Sequence, residues 1–276
     1  MHALSVIVDE SREEEATAAL WDAGTLGVEV RPARERRVEL VAYFGGPAPA
    51  GLEQALPGAE IAPVPVPEVD WVARFREGFQ PFQVGRFHVV PAWQAASRSP
   101  DVLIVDPGRA FGTGTHETTK LCLGALEGLA ARRPLGRTLD LGSGTALLAI
   151  AAERLGGGPV VASDIDPEAT LASRHHAALN GAQVRVVRAD AAAGFRAGAF
   201  DLVLANLMAL LLVDRAAQIQ ELVAPGGALV LSGLLLGDVP PVRAAFAGCG
   251  TPREERLGEW AALVFEDVGG RAERRP

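Results

Sequence analysis

The stretch LDLGSGTALLAIA, Leu139 to Ala151, decides how this chain folds. Thr138 to Leu141 is apolar and β-compatible, Gly142 to Thr145 is a turn of small residues, and Ala146 to Leu155 is built from strong helix formers. A strand, a glycine turn and a helix start in succession bring backbone close to a ligand. Glycine has no Cβ and tolerates positive φ, and the first N–H groups of a helix are unpaired. A nucleotide or nucleoside suits such a turn. The next strand, Pro159 to Ser163, ends at Asp164, 22 residues beyond Gly142, a spacing from which a carboxylate accepts both ribose hydroxyls.

The glycine pattern alone is not specific, since a glycine turn joins strand to helix in many α/β proteins. A dinucleotide site reads G-x-G-x-x-G, whereas Gly142-Ser143-Gly144 is followed by Thr145, Ala146 and Leu147, so the third glycine is missing. That loss, with Asp140 leading the turn, favours a cofactor without phosphates, of which S-adenosylmethionine is the commonest. A nicotinamide-dependent oxidoreductase is the rival reading, and a non-catalytic ribosome-associated module with a nucleoside pocket is another.

Around this unit, strands are expected at Phe87 to Val90, Val102 to Val105, Gln183 to Val187, Phe200 to Ala205 and Ala228 to Ser232, with helices between them. A terminal hairpin is expected from Arg253 to Leu257 and Trp260 to Glu266. Alternating βα units imply a doubly wound, mainly parallel sheet with ligands at the carboxyl ends of its strands. Asp166, before Pro167, reads as a helix cap. Asn206 sits just past Phe200 to Ala205, a strand whose end is expected to face the methyl donor, where its amide oxygen accepts N–H bonds and aims an amine lone pair; capping the next helix is its alternative role. Enzymes that methylate planar amides or adenine amino groups follow this asparagine with prolines and an aromatic. Here Asn206-Leu207-Met208-Ala209 has no stacking ring, which favours a flexible aliphatic amine.

The N-terminal segment reads as a separate β-α-β-β module: Leu4 to Val8, a helix opened by a capping box of Ser11 and Glu14, then Leu26 to Val30 and Arg37 to Phe44. A short helix at Leu52 to Leu56 and an extended Glu60 to Val66 follow. Pro63, Pro65 and Pro67 make a stiff connector about which this module moves. Val69 to Gly78, with Trp71 and Phe75 four apart, reads as a short docking helix, and Gly269 to Pro276 as a frayed tail.

Two more segments join the glycine turn: FGTGTHETT from Phe111 to Thr119 and the acidic SDID from Ser163 to Asp166. With Asn206-Leu207 after a strand, they resemble the PrmA family, the methyltransferases of ribosomal protein L-eleven (L11). Gly112, Gly114, His116, Thr118 and Thr119 stand where the family pattern F-G-T-G-x-H-x-T-T places them. The turn departs once, at Ala146, where the family usually has glycine. The resemblance covers the chain from about Asp70 onward and is weaker before it.

That resemblance implies an S-adenosylmethionine-dependent enzyme with a seven-stranded Rossmann-like methyltransferase sheet over residues 79–276. It implies a Pro-containing linker and short helix at 61–78 and a ferredoxin-like α+β substrate-recognition domain at 1–60. Thr119 matches a cofactor-binding threonine, Gly142 and Gly144 the turn glycines, Asp164 the ribose acceptor, and Asn206 the residue between cofactor and substrate amine. Phe111, Gly112, Thr113 and Gly114 would form a loop over the methionine part, and Asp190 would contact the adenine unless it is a loop or helix cap. The implied reaction is N-methylation of lysine side chains and an N-terminal α-amine of L11, with another basic protein as the alternative target. No metal and no dedicated general base are expected.

Charge agrees with a basic protein partner. Residues 1–66 carry eleven acidic and five basic side chains, against a net of −8 for all 276 residues. Such a surface repels phosphate backbones and attracts basic proteins, so direct nucleic-acid binding is not expected and a basic ribosomal protein is a good candidate partner; the resemblance implies L11, free before ribosome assembly, and solubility explains the charge equally well. Met1 to Asp9 lacks a basic leader and no run of about 18 apolar residues occurs, so neither export nor membrane insertion is expected and a soluble, cytoplasmic protein is; nothing in the sequence suggests an obligate dimer, so a monomer is expected. Cys122 and Cys249 make neither a disulfide framework nor a metal site.

Overall fold

The computed structural model describes residues 2–33, 36–46, 51–65, 80–95, 99–106 and 117–269. Contacts divide the chain into two compact units, Met1–Asp70 and Trp71–Pro276.

The first unit runs β1 (His2–Asp9), α1 (Glu13–Asp22), β2 (Gly27–Pro32), β3 (Arg37–Phe44), α2 (Leu52–Ala55) and β4 (Glu60–Val64). Its antiparallel sheet has the order β2-β3-β1-β4. Because β4 pairs with β1 from Ala3↔Val64 to Ile7↔Glu60, residues 60–64 belong to this unit, beyond the boundary at 60 that the sequence suggested. Leu4, Val6, Val8, Leu20, Leu40 and Phe44 form its core. The helix start differs from the expected capping box. A 3-10 turn over Glu10–Arg12 precedes α1, and Asp9 accepts both the Ser11 N–H (3.0 Å) and the Ser11 hydroxyl (2.6 Å).

The second unit opens with β5 (Phe82–Val84), β6 (Phe87–Pro91) and β7 (Val102–Val105), a small sheet in that order. Then come α3 (Glu117–Ala130), β8 (Thr138–Leu141), α4 (Leu147–Arg154), β9 (Val160–Asp164), α5 (Pro167–Asn180), β10 (Val184–Arg188), β11 (Phe200–Asn206), α6 (Ala209–Asp214), α7 (Ala216–Leu222), β12 (Val223–Leu235), α8 (Val239–Ala245), β13 (Arg253–Leu257) and β14 (Trp260–Val268). The large sheet is ordered β10-β9-β8-β11-β12-β14-β13. Its strands pair in parallel except at β14, which runs antiparallel to both neighbours, so the sheet is mixed.

Both faces of this sheet are covered, and β11 shows how. Leu202 and Leu204 point into a core with Leu123, Leu126 and Ile150 from α3 and α4, while Val203 and Ala205 point into the opposite core with Leu212, Ile219 and Val242 from α6 to α8. A strand stretch with two dry faces reads as an unbroken apolar run, which is why Leu202 to Ala205 shows no alternation. β12 begins at Val223, well before the expected Ala228, because Phe200 pairs with Val223 across a register shift. The expected helix at 69–78, the connector beyond residue 65 and the FGTGTH loop fall outside the described residues.

Candidate functional site

Strand order reverses between β8 and β11, and the helical crossovers leave a crevice at the carboxyl ends of the strands there. A cavity of about 710 Å³ occupies that place. Each wall is the terminus of a separate element: Asp140 and Gly142 from β8 and its turn, Ser163 and Asp164 from β9, Asn206 from β11, Gly233 from β12, Trp260 from β14 and Thr119 from α3.

The glycine turn is shaped as its composition requires. Gly142 and Gly144 have φ of +71° and +53°. A Cβ on Gly142 would lie 2.3 Å from Leu207 Cδ2, so a side chain there would displace the residue after Asn206. Ala146, with φ 59°, is the left-handed N-cap of α4. Its methyl packs with Ala149, Val160 and Ala162 in a small buried cluster and is not part of the cavity wall, so the departure from glycine leaves the cavity surface unchanged.

Asp164 is held on both oxygens by backbone: Oδ2 accepts the Gly144 N–H and Oδ1 the Asp166 N–H, each at 3.0 Å. The carboxylate therefore ties the turn after β8 to the turn after β9 and keeps its remaining lone pairs for a ligand. Asp166 caps α5, accepting the Glu168 N–H at 2.9 Å. Asp140 is 2% exposed and accepts the Ala149 N–H at 3.0 Å. Burial pushes its carboxyl up to about 7, against the Ala149 hydrogen bond, with nearby Asp164 adding to the rise.

Asn206 is the last residue of β11 and borders the cavity. The N-cap of α6 is Met208, with no side-chain cap, so Asn206 does not cap that helix. Its amide makes no hydrogen bond among the described residues. Leu207, Met208 and Leu211 beside it make that part of the wall apolar. Thr119 and Ser163, both on the wall, hold buried hydroxyls without a hydrogen-bond partner among the described residues. Asp190 also borders the cavity and lies 3.8 Å from Arg215, which faces the same space.

Of the residues named from sequence, Thr119, Gly142, Gly144, Asp164, Asp190 and Asn206 thus converge on one cavity. Phe111, Gly112, Thr113 and Gly114 lie outside the described residues. Ser163 and Leu207 stood in quoted motifs without an assigned role, and Arg215, Gly233 and Trp260 were not anticipated. Gly233 alone carried a local signal, a glycine inside an apolar strand. Cys122 and Cys249 are buried, and burial pushes their thiols up to about 12 and about 11. Among the described residues no cluster of metal-ligating side chains occurs, and no helix is long and apolar enough to cross a membrane.

Comparison with known proteins agrees with this geometry. Residues 50–267 match the family model described as Ribosomal protein L11 methyltransferase (PrmA). The chain is 43% identical over 219 residues to the Ribosomal protein L11 methyltransferase of Geobacter sulfurreducens, covering 75% of this chain and 72% of that one. It is 38% identical over 250 residues to the Thermus thermophilus protein of the same name, covering 89% and 92%. Among solved structures it resembles a ribosomal protein L11 methylase from Lactobacillus delbrueckii subsp. bulgaricus, with TM-score 0.62, 31% identity, and coverage of 68% of this chain and 99% of that one. The mixed sheet is therefore the Rossmann-like sheet of a methyltransferase.

Proposed function

The chain belongs to the ribosomal protein L11 methyltransferase (PrmA) family and is an enzyme, and from that premise we propose that it moves methyl groups from S-adenosylmethionine to amines of L11. Membership removes the nicotinamide-dependent and non-catalytic readings. The targets we assign are lysine side chains and the N-terminal α-amine, on L11 free in the cytoplasm before assembly, with the enzyme acting as a monomer. One observation carries this reading: the cavity at the strand-order reversal brings Thr119, Asp164 and Asn206 together with the glycine turn.

The wall fits the cofactor. Thr119 and Ser163 offer orphaned buried hydroxyls, Gly142 and Gly144 leave room for close backbone approach, and Asp164 keeps lone pairs for ribose hydroxyls. Asp190, held by Arg215, would border the adenine. Phe111, Gly112, Thr113 and Gly114 retain their assignment over the methionine part. When bound, S-adenosylmethionine supplies an activated methyl group on sulfur.

What the protein adds is position and solvent control. In-line displacement needs a neutral nitrogen lone pair about 3 Å behind the methyl carbon. Asn206 accepts an amine N–H through its side-chain oxygen and thereby aims that lone pair. A lysine with pKa about 10.4 is neutral only about once in a few thousand molecules at pH 7. Leu207, Met208 and Leu211 disfavour the ammonium form and raise that fraction. The released proton passes to water.

For the first unit we propose a ferredoxin-like fold, supported by its β-α-β-β-α-β element order and the strand order β2-β3-β1-β4. Its acidic surface suits a basic ribosomal protein. Incubation with purified L11 and labelled methyl donor tests the function. Label on L11 lysines and its α-amine is expected; unlabelled L11, with the donor bound by calorimetry, refutes the assignment.

A further inference from the structure

The cavity mouth carries an apolar surface that the chemistry inside does not use. Met208 and Leu210 are 75% and 82% exposed, and Leu235 and Leu236 are 41% and 39% exposed. Exposed leucines on one short helix, ALLLVD, are costly unless something covers them. Two contacts bring these residues to the same edge of the sheet. The Leu207 N–H donates to Ser232 O at 3.1 Å, and Gly233 lies against the Leu207 backbone, so the chain entering α6 is fastened to the end of β12. Leu235 closes β12 and pairs with Trp260 at the start of β14. Met208, Leu211 and Trp260 also line the cavity, so this apolar collar is continuous with the place where the amine is methylated.

We infer that the collar is a docking surface for the target protein, taking the apolar side chains that flank the modified amine. The inference rests on the proposed function and adds where the target touches the catalytic unit. A protein target must bring its backbone to this mouth, whereas the amine itself occupies only the space beside Asn206. None of Met208, Leu210, Leu235 and Leu236 is charged, so the collar selects by apolar contact, leaving charge attraction to the acidic first unit. Such a surface discriminates among amines on one protein by their neighbours, which charge attraction alone does not.

The test uses the full chain with S-adenosylmethionine and L11. Leu210→Glu and Leu236→Glu lie outside the cavity wall, and each should raise KM for L11 about tenfold while leaving cofactor Kd unchanged and kcat within about twofold. Leu210→Met should restore the parent KM. Hydrogen exchange at 207–213 and 234–237 should slow only when L11 is added. Unchanged KM in both folded Glu variants overturns the inference, as does protection already present without L11, which would mean that the chain covers the collar itself. Protection rising with enzyme concentration would assign the surface to a second copy and equally overturn it. Failure of the proposed function is separate, because the parent enzyme would then leave L11 unlabelled.

Discussion

A Cβ on Gly233 would lie 2.3 Å from the carbonyl oxygen of Leu207, so β12 and the chain after Asn206 touch backbone to backbone. Gly233 also has φ +84°, where side chains are strained. Gly233→Ala should therefore push Leu207 and Asn206 out of place, costing about 1–3 kcal/mol of stability and most of the activity. Gly142, at φ +71°, is strained by a side chain as well, but the clash of Gly142→Ala is with the end of the Leu207 side chain and not with backbone. That substitution should cost less stability but weaken cofactor binding; thermal melts and calorimetry on the two variants separate these outcomes.

Asn206 makes no side-chain hydrogen bond among the described residues and is not a helix cap, so its removal should spare folding. Asn206→Ala is expected to lower kcat on L11 by about 10²–10³ with an unchanged melting temperature. Single-turnover methylation kinetics check this, and a variant that keeps the parent rate would strip Asn206 of its assigned part.

Asp140 sets a pH dependence. Its ordinary carboxyl pKa of 3.8 is pushed up to about 7 by burial. The folded protein therefore binds a proton that the unfolded chain has released, and ionised Asp140 opposes folding. The penalty is absent below its ordinary value, grows as pH rises toward about 7 and stays constant above. Asp140→Asn should raise the melting temperature of the cofactor-free protein at pH 8 and lose that advantage near pH 4. Melts across that range decide it; a gain independent of pH would point to a different cause.

Ala146→Gly tests where the unusual methyl matters. Glycine relieves the cost of φ 59°, about 1 kcal/mol, but empties a methyl-sized space among Ala149, Val160 and Ala162 at a similar cost. Stability should change little, and cofactor affinity should not improve, as titration calorimetry will show.

Much of this was legible from local pattern. β8, the glycine turn and α4 stand close to where composition placed them, because each is dictated by neighbours in sequence. Asp166 likewise acts within its own turn, capping α5 as its place before Pro167 suggested, whereas Asp164 also reaches across to the Gly144 N–H, a contact its own turn does not announce. What escaped was long-range. Leu207 filling the space over Gly142, Gly233 pressed on Leu207 and Trp260 at the wall depend on β8, β11, β12 and β14 lying side by side. No window of sequence records that adjacency. Ser11 does not cap α1 because it lies inside a 3-10 turn that Asp9 caps, and α1 itself starts after Arg12 with no side-chain cap. β5 was missed because three residues give too little alternation to register.

β14 follows β13 along the chain, yet it lies between β13 and β12. During translation every residue of the glycine turn has left the ribosome while the flank of β12 is still bare, waiting for a strand not yet made. Trp260 arrives with that strand. The cavity wall to which Trp260 belongs is therefore completed only with the last strand of the sheet to be synthesised.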